Sequence, residues 1–171
     1  MDIHVYSFVM FKSIILISLF LANISYADSI RGIVHKVSDG DTITVLVGQV
    51  KHKVRLADID CPEKKQPFGL VAKRFVQKRA FGKRVKVNYV KTDRYMRIIG
   101  TVILPDGTNL NESLVSRGLA WHYKQYSKNK RVGRLEKAAQ KQNVGLWSQV
   151  RPQEPWEYRK ERRRGLQRNK K

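Results

Sequence analysis

Three short segments near the start of the chain have the composition of β-strands. They cover residues 30–37, 42–47 and 50–56, and each is rich in β-branched side chains. Asp39-Gly40 and Gly48-Gln49 separate them, and pairs of this kind are typical of the tight turns in β-hairpins. The pattern therefore predicts a β-meander.

The next segments alternate between helix and strand signals. Apolar residues recur at helical spacing before Gly82, which is suited to end a helix. These apolar residues are Phe68, Val71, Ala72, Phe75, Val76 and Ala80. Alternating apolar and polar residues then predict a strand over 85–89, and residues 98–104 predict another that ends at a Pro-Asp-Gly turn.

Two more helices are expected after the fifth strand. Asn109 followed by Glu112 is a variant of the capping box, and Leu110, Leu114 and Val115 supply an apolar face. A further helix is predicted around 132–139, ending near Gly145. This order of elements predicts an all-β barrel with helices, namely a five-stranded Greek-key barrel of the OB type with about three α-helices. A split α+β fold is the alternative that the sequence allows.

Both ends of the chain differ from this central part. Residues 14–22 form an apolar run behind Lys12, and Ser25 and Ala27 are small residues at the spacing of a signal-peptidase site. We therefore expect residues 1–27 to be a signal peptide, with Met10 as an alternative start and a retained anchor as the alternative interpretation. Residues 151–171 contain nine Lys or Arg and three Glu, which predicts a mobile basic tail behind a domain at 28–150.

The charge of the chain restricts its partners. Lys and Arg number 35 against 14 Asp and Glu, a net charge of +21, while 42% of the residues are hydrophobic. This combination favours one packed core and a polyanionic partner, which includes nucleic acid, anionic membrane and acidic polysaccharide. Cys61 is the only cysteine, so an intramolecular disulfide is excluded.

Acidic residues are scarce but concentrated in one part of the sequence. Five of them lie close together, at Asp39, Asp41, Asp58, Asp60 and Glu63. Asp41 opens one predicted strand and Asp60 follows another, so their carboxylates can converge on a hard cation, Ca²⁺ or Mg²⁺ rather than zinc. The alternative is that Asp39 and Asp41 only form the turn and that Asp58 is a surface acid.

Three blocks of sequence resemble those of a known family. They are VSDGDT at 37–42, VRLADIDCPE at 54–63 and TDRYMR at 92–97, with looser similarity at 111–120 and 143–147. In order and spacing they resemble the signature blocks of the staphylococcal nuclease-like (thermonuclease) family. The resemblance implies an OB-fold phosphodiesterase that acts on single- and double-stranded DNA and RNA, with Ca²⁺ favoured over Mg²⁺ as the metal.

The resemblance also assigns roles to individual residues. Two carboxylates and one backbone carbonyl would bind the metal, and these belong to Asp41, Asp60 and Cys61. Three further side chains would be catalytic, namely Arg55, Glu63 and Arg97. Cys61 replaces the threonine and Met96 the glycine of the best-known member, and Met96 lies in the loop that presents Arg97.

We therefore expect a secreted or periplasmic nonspecific nuclease, monomeric, with no stable protein partner and no membrane span after signal removal. The main rival is a noncatalytic nucleic-acid-binding OB module, and a basic envelope adhesin is a third class. The clustered acids argue against both, because a groove that only binds phosphate gains nothing from carboxylates that repel it. Tyr95, Tyr123 and Tyr126 are candidates for stacking on bases, while Trp121 and Trp147 are expected in the core.

Overall fold

The structure, a computed structural model, describes residues 28–168. The predicted signal peptide, with its two possible starts and its cleavage site, lies outside the described residues, as do residues 169–171. Across 28–168, no helix combines the length and the apolar character needed to cross a bilayer.

The described chain contains seven strands and four α-helices. The strands are β1 (Asp28–Val37), β2 (Thr42–Val47), β3 (Val50–Leu56), β4 (Ile59–Asp60), β5 (Arg84–Thr92), β6 (Ile98–Ile103) and β7 (Trp121–His122). The helices are α1 (Gly69–Ala80), α2 (Leu110–Ser116), α3 (Lys130–Lys141) and α4 (Pro155–Arg168), with a 3₁₀ turn at Gly145–Ser148.

Five strands close into a barrel in the order β1-β2-β3-β6-β5. All neighbours are antiparallel except β3 and β6, which run parallel. Val34, Val45, Val54, Val87 and Val102, one from each strand, have no solvent exposure, so one face of every strand fills the interior. The predicted five-stranded barrel is confirmed, and the α+β alternative is not adopted.

The three predicted helices are present. At the start of α2, Asn109 Oδ1 accepts a hydrogen bond from the backbone N–H of Glu112 at 3.2 Å, as the capping signal predicted. Asn129 caps α3 in the same manner. Trp121 and Trp147 are buried against each other, with ring centroids 4.4 Å apart, which confirms their place in the core.

The expected mobile tail is a helix, α4. Pro155 occupies its first position, where a missing N–H costs nothing. Trp156 stacks on Tyr123 with ring centroids 5.4 Å apart and packs edge-on against Trp121. These aromatic contacts hold the first turn of this polar, basic segment against β7 and the residue that follows it, although residues 160–167 are exposed. The limit of the domain at residue 150 remains a prediction.

A short two-stranded sheet, which the sequence pattern did not predict, positions one of the acids. In it, Asp60 of β4 pairs with Trp121 of β7. Buried Asn111 supports the turn before β4, because its Nδ2 donates to the carbonyl of Ala57 at 3.0 Å. Buried Glu136 supports β7 by accepting from the backbone N–H of His122 at 2.9 Å. The position of Asp60 therefore depends on α2 and α3.

Two glycines allow a test of how tightly the turn at Gly145 is packed. Gly145 and Gly48 both have φ of 58°, but an added Cβ at Gly145 would lie 2.3 Å from the Gly118 carbonyl oxygen, whereas Gly48 has nothing within 4 Å. We expect Gly48→Ala to lower the free energy of unfolding by about 1 kcal/mol through backbone strain. Gly145→Ala should lower the free energy of unfolding by about 1–3 kcal/mol more than Gly48→Ala does, because the added Cβ overpacks the turn.

Urea unfolding measures both changes. Equal losses of stability in the two variants would contradict the close approach of Gly145 to Gly118.

Candidate active site

Two carboxylates from separate parts of the chain meet at one guanidinium. Arg55 Nη2 lies 3.1 Å from Asp41 Oδ2 and 2.8 Å from Asp60 Oδ1. Its Nη1 donates to the backbone carbonyls of Leu56 and Ile59. The Arg55 side chain is only 13% exposed and that of Asp60 1%. The structure therefore brings together the predicted metal carboxylates and one predicted catalytic arginine.

Pairing between β2 and β3 brings Asp41 and Arg55 close together. Asp41 directly precedes β2, whose first residue, Thr42, pairs with Arg55 of β3. The backbone N–H of Cys61 donates to Asp41 Oδ2 at 2.8 Å, so Cys61 also borders the carboxylates. The metal-binding role of its carbonyl remains a prediction.

Burial dominates the electrostatics of the cluster. It raises the pKa of Asp60, although Arg159 and Arg55 favour the charged form. It also raises the pKa of Asp39 to about 6, with the negative charge of Asp41 as a further cause. Burial opposes charge on Arg55 too, but the charges of Asp41 and Asp60 raise its pKa overall. Burial and the charge of Asp41 thus oppose ionisation of Asp60, and the two guanidinium groups favour it.

Two more acids of the sequence cluster, Asp39 and Asp58, have structural contacts. Asp39 Oδ1 accepts from the backbone N–H of Asp41 at 3.3 Å, as expected for a turn residue. Asp58 Oδ2 accepts from Asn129 Nδ2 at 2.9 Å, which links the turn before β4 to the start of α3.

Glu63 lies in a loop fixed by a buried glutamine. Its backbone N–H donates to Gln66 Oε1 at 2.8 Å, and Gln66 Nε2 donates to the carbonyl of Gln153 at 3.2 Å. The absence of a side chain at Gly69 lets helix α1 begin against this loop, because a Cβ there would lie 2.0 Å from the Glu63 carbonyl oxygen. The Glu63 side chain is 37% exposed, so its carboxylate is held near the cluster yet remains open to water.

Arg159 of α4 joins Glu63 to the buried carboxylates. Its Nη2 lies 2.8 Å from Asp60 Oδ2, and its Nη1 lies 3.2 Å from Asp60 Oδ1 and 3.0 Å from Glu63 Oε1. Two parallel bonds of this kind are a strong form of arginine–carboxylate pairing. Sequence reasoning missed Arg159 because it lies in the segment that was expected to be a tail.

Arg97 lies in a loop closed by Asp93. Asp93 Oδ1 accepts from the backbone N–H groups of Tyr95 and Arg97, and Oδ2 accepts from Arg97 Nε at 2.7 Å. Burial is the largest single effect and would raise the pKa of Asp93, but the hydrogen bonds from Arg97 and Tyr95 together outweigh it and lower the pKa. Met96 adopts φ of 57°, a conformation that glycine adopts more readily, and the loop still closes around Asp93.

Arg97 remains apart from the carboxylates. It immediately precedes Ile98, which pairs with Val54, the neighbour of Arg55, so both arginines lie at related positions of adjacent strands. Within 28–168, however, the recorded contacts of its side chain are with Asp93 and the Tyr95 ring. Tyr95 and Tyr126 are exposed, whereas Trp156 stacks on Tyr123.

The donor chemistry of the cluster suits a hard cation. Asp41 and Asp60 each place a carboxylate oxygen within 3.1 Å of one nitrogen, Arg55 Nη2, and oxygen ligands are those that Ca²⁺ and Mg²⁺ prefer. Among residues 28–168, no three His, Cys, Asp or Glu side chains come close enough to form a metal centre alone. A cation here would therefore need water, backbone carbonyls or substrate oxygens as its remaining ligands.

Fold and site together define a class of protein: a basic OB-type barrel with a carboxylate and arginine site at its strand ends. The matching family model is described as Staphylococcal nuclease homologue and covers residues 53–149. The chain belongs to this family, which confirms the resemblance seen in the sequence.

Several relatives match most of the chain. A protein of Escherichia coli called an uncharacterized endonuclease is 42% identical over 130 residues, covering 76% of this chain and 85% of the relative. Micrococcal nuclease of Shigella flexneri is 41% identical over 140 residues, covering 76% and 80%. An uncharacterized endonuclease of Haemophilus influenzae is 39% identical over 127 residues, covering 74% and 71%.

The Arg97 loop provides a prediction about Asp93. Asp93→Asn keeps the Oδ1 acceptor for the two backbone N–H groups, whereas Asp93→Ala removes it. We expect Asp93→Ala to speed tryptic cleavage after Arg94 and Arg97 about tenfold, because loss of a hydrogen bond of ~1.4 kcal/mol increases local opening by that factor. Asp93→Asn should lie between the two, because it keeps the Oδ1 acceptor but loses the acceptor for Arg97 Nε. Identical cleavage rates in all three proteins would show that Asp93 does not hold the loop.

Proposed function

We propose that this protein is a metal-dependent nuclease that hydrolyses phosphodiester bonds of DNA and RNA, with Ca²⁺ as its cation. The main supporting observation is that buried Asp41 and Asp60 converge on Arg55 in a chain of net charge +21. The names of the relatives from Escherichia coli and Shigella flexneri, an endonuclease and a micrococcal nuclease, support the same activity.

The carboxylates favour hydrolysis over simple binding. A site that only holds nucleic acid needs positive charge near the phosphates, and buried acids would oppose that. Burying Asp60 is costly, as its raised pKa shows. A cluster of this kind is useful where a cation is to be held beside the substrate.

Asp41 and Asp60 would hold the cation, and Thr42 and Cys61 keep Asp41 in place through hydrogen bonds to its two oxygens. When bound, a divalent cation polarises a phosphate oxygen and positions the attacking water. Ca²⁺ suits this arrangement because it accepts irregular sets of oxygen ligands.

Glu63 is the candidate general base. Its carboxylate is partly exposed and lies across Arg159 from Asp60, so it can accept a proton from a water molecule near the cluster. Gln66 fixes the loop through the backbone N–H of Glu63, which restricts the positions that the carboxylate can take.

Arg55 and Arg97 are the candidate phosphate ligands. Their guanidinium groups are planar and permanently charged, and each can bond two phosphate oxygens. Asp93 binds Arg97 on its Nε side, so the terminal nitrogens of Arg97 are the donors left for a phosphate. Arg55 has the additional role of holding both carboxylates.

We also propose that the protein is exported, on the basis of residues 1–27 alone. Sequencing the N-terminus of the protein recovered from its native host tests this proposal. A mature chain that begins at Asp28 would support export, and a chain that retains residues 1–27 would contradict it.

The metal requirement predicts the outcome of a simple assay. Purified protein should cleave both plasmid and single-stranded DNA with Ca²⁺, should be less active with Mg²⁺, and should be inactive in chelator, because Asp41 and Asp60 then have no cation to hold. Gel electrophoresis measures cleavage, and a filter-binding assay on the same samples measures binding. Tight binding without cleavage under every condition would instead identify a noncatalytic binding module.

Single substitutions test the residue roles. Glu63→Gln and Arg97→Ala should each lower kcat by on the order of 10²-fold, because one removes the proton acceptor and the other a charged donor to the phosphate. Arg79→Ala is the matched control, since Arg79 forms an exposed pair with Asp106 away from the cluster. Near-normal kcat in both site variants, with unfolding temperatures equal to the wild type, would refute the assignment.

A further inference from the structure

We infer that Arg159 is an internal cation of the active site, which competes with the divalent metal for Asp60 and Glu63. The inference rests on the function proposed above. It assigns to the C-terminal helix α4 a role in setting how readily the site takes up its metal.

The contacts of Asp60 carry the first step. Arg55 binds Asp60 Oδ1, and Arg159 binds Oδ2 at 2.8 Å and also Oδ1 at 3.2 Å. Both oxygens of a 1% exposed carboxylate are therefore occupied by guanidinium groups. These contacts fill three of the roughly four lone-pair sites of the carboxylate, and both guanidinium charges repel a second cation, so a metal binds Asp60 more favourably when one contact is given up.

The two arginines differ in how firmly they are held. Arg55 lies in barrel strand β3, is 13% exposed, and also donates to two backbone carbonyls. Arg159 is 32% exposed, and its recorded polar partners are all side chains, namely the carboxylates of Asp60 and Glu63 and the hydroxyl of Tyr123. Less structure is lost when Arg159 leaves, so Arg159 is the contact that a metal would replace.

The helix that carries Arg159 is lightly anchored. Residues 155–159 are buried or half-buried, and residues 160–167 are exposed. Trp156 holds the first turn on Tyr123 and Trp121, and Gln66 holds the preceding linker at Gln153. A helix of this length receives little stability from its own hydrogen bonds, so Arg159, which lies just beyond this anchored turn, can move while the barrel stays intact.

Charge balance also favours the exchange. Three carboxylates, of Asp41, Asp60 and Glu63, share two guanidinium groups in the structure. Replacing the single charge of Arg159 with a divalent ion would neutralise the third carboxylate. Arg159 thus satisfies the buried acids in part, and a divalent cation satisfies them more fully.

Calcium titration tests the inference. Isothermal calorimetry with CaCl₂ measures the Ca²⁺ Kd of the wild type and of three variants, Arg159→Ala, Arg159→Gln and Arg159→Lys. The matched control is Arg162→Ala, because Arg162 is exposed on the same helix. The nuclease assay then gives the Ca²⁺ concentration for half-maximal rate in each protein, and thermal unfolding confirms that each is folded.

We expect Arg159→Ala and Arg159→Gln to bind Ca²⁺ about tenfold more tightly, with the same shift in half-maximal Ca²⁺, since a charge-assisted bond of ~1.4 kcal/mol corresponds to that factor. Arg159→Lys retains the competing charge and should remain near the wild type, as should Arg162→Ala. Two variants without charge at 159 keep the test valid if one of them fails to fold.

Other outcomes separate the two proposals. Calcium-dependent cleavage with equal Kd in the wild type and both uncharged variants would overturn the role of Arg159 and leave the nuclease proposal standing. An unchanged Kd with a lower kcat/KM at saturating Ca²⁺ would also overturn it, because Arg159 would then contact the substrate. Absence of Ca²⁺ binding in every protein would overturn both.

Discussion

The placement of Arg55 between Asp41 and Asp60 is the interaction on which the site depends. A guanidinium that is 13% exposed is tolerated because both terminal nitrogens are bonded, two contacts going to carboxylates and two to backbone carbonyls. Buried charges are costly when unpaired, so the chain segments that carry the three residues must assemble together. The ion cluster therefore links the turn before β2, strand β3 and the short strand β4 into one structure.

The remainder of the fold holds that cluster from a distance. Strand β4 has two residues and cannot be stable alone. Glu136 from α3 fixes its partner β7, and Asn111 from α2 fixes the turn before β4. Two buried polar side chains, both hydrogen-bonded, thus connect the helices to the position of Asp60. The helices act as supports for the site as well as covers for the barrel.

The features that could be predicted from sequence are those with local signals. The cap at Asn109 depends on a residue three positions away, and the barrel strands follow from alternation within short segments. The approach of Asp41 to Asp60 has no such signal and was expected from the position of strand ends and from family resemblance. Arg159 was missed because its partner Asp60 is 99 residues away, and the basic composition around it concealed the Pro155-Trp156-Glu157 start of a helix.

The surplus of positive charge and the acid cluster act over different distances. Surface charges act over about 10 Å at moderate salt. A polyanion that comes within this distance is therefore attracted by the net charge of +21 before it reaches the site. At the site itself, Asp41, Asp60 and Glu63 outnumber the two guanidinium groups that contact them. A phosphate drawn in by the surface would be repelled there unless further positive charge entered with it. A divalent cation held by Asp41 and Asp60, as proposed above, would supply that charge between the carboxylates and the phosphate.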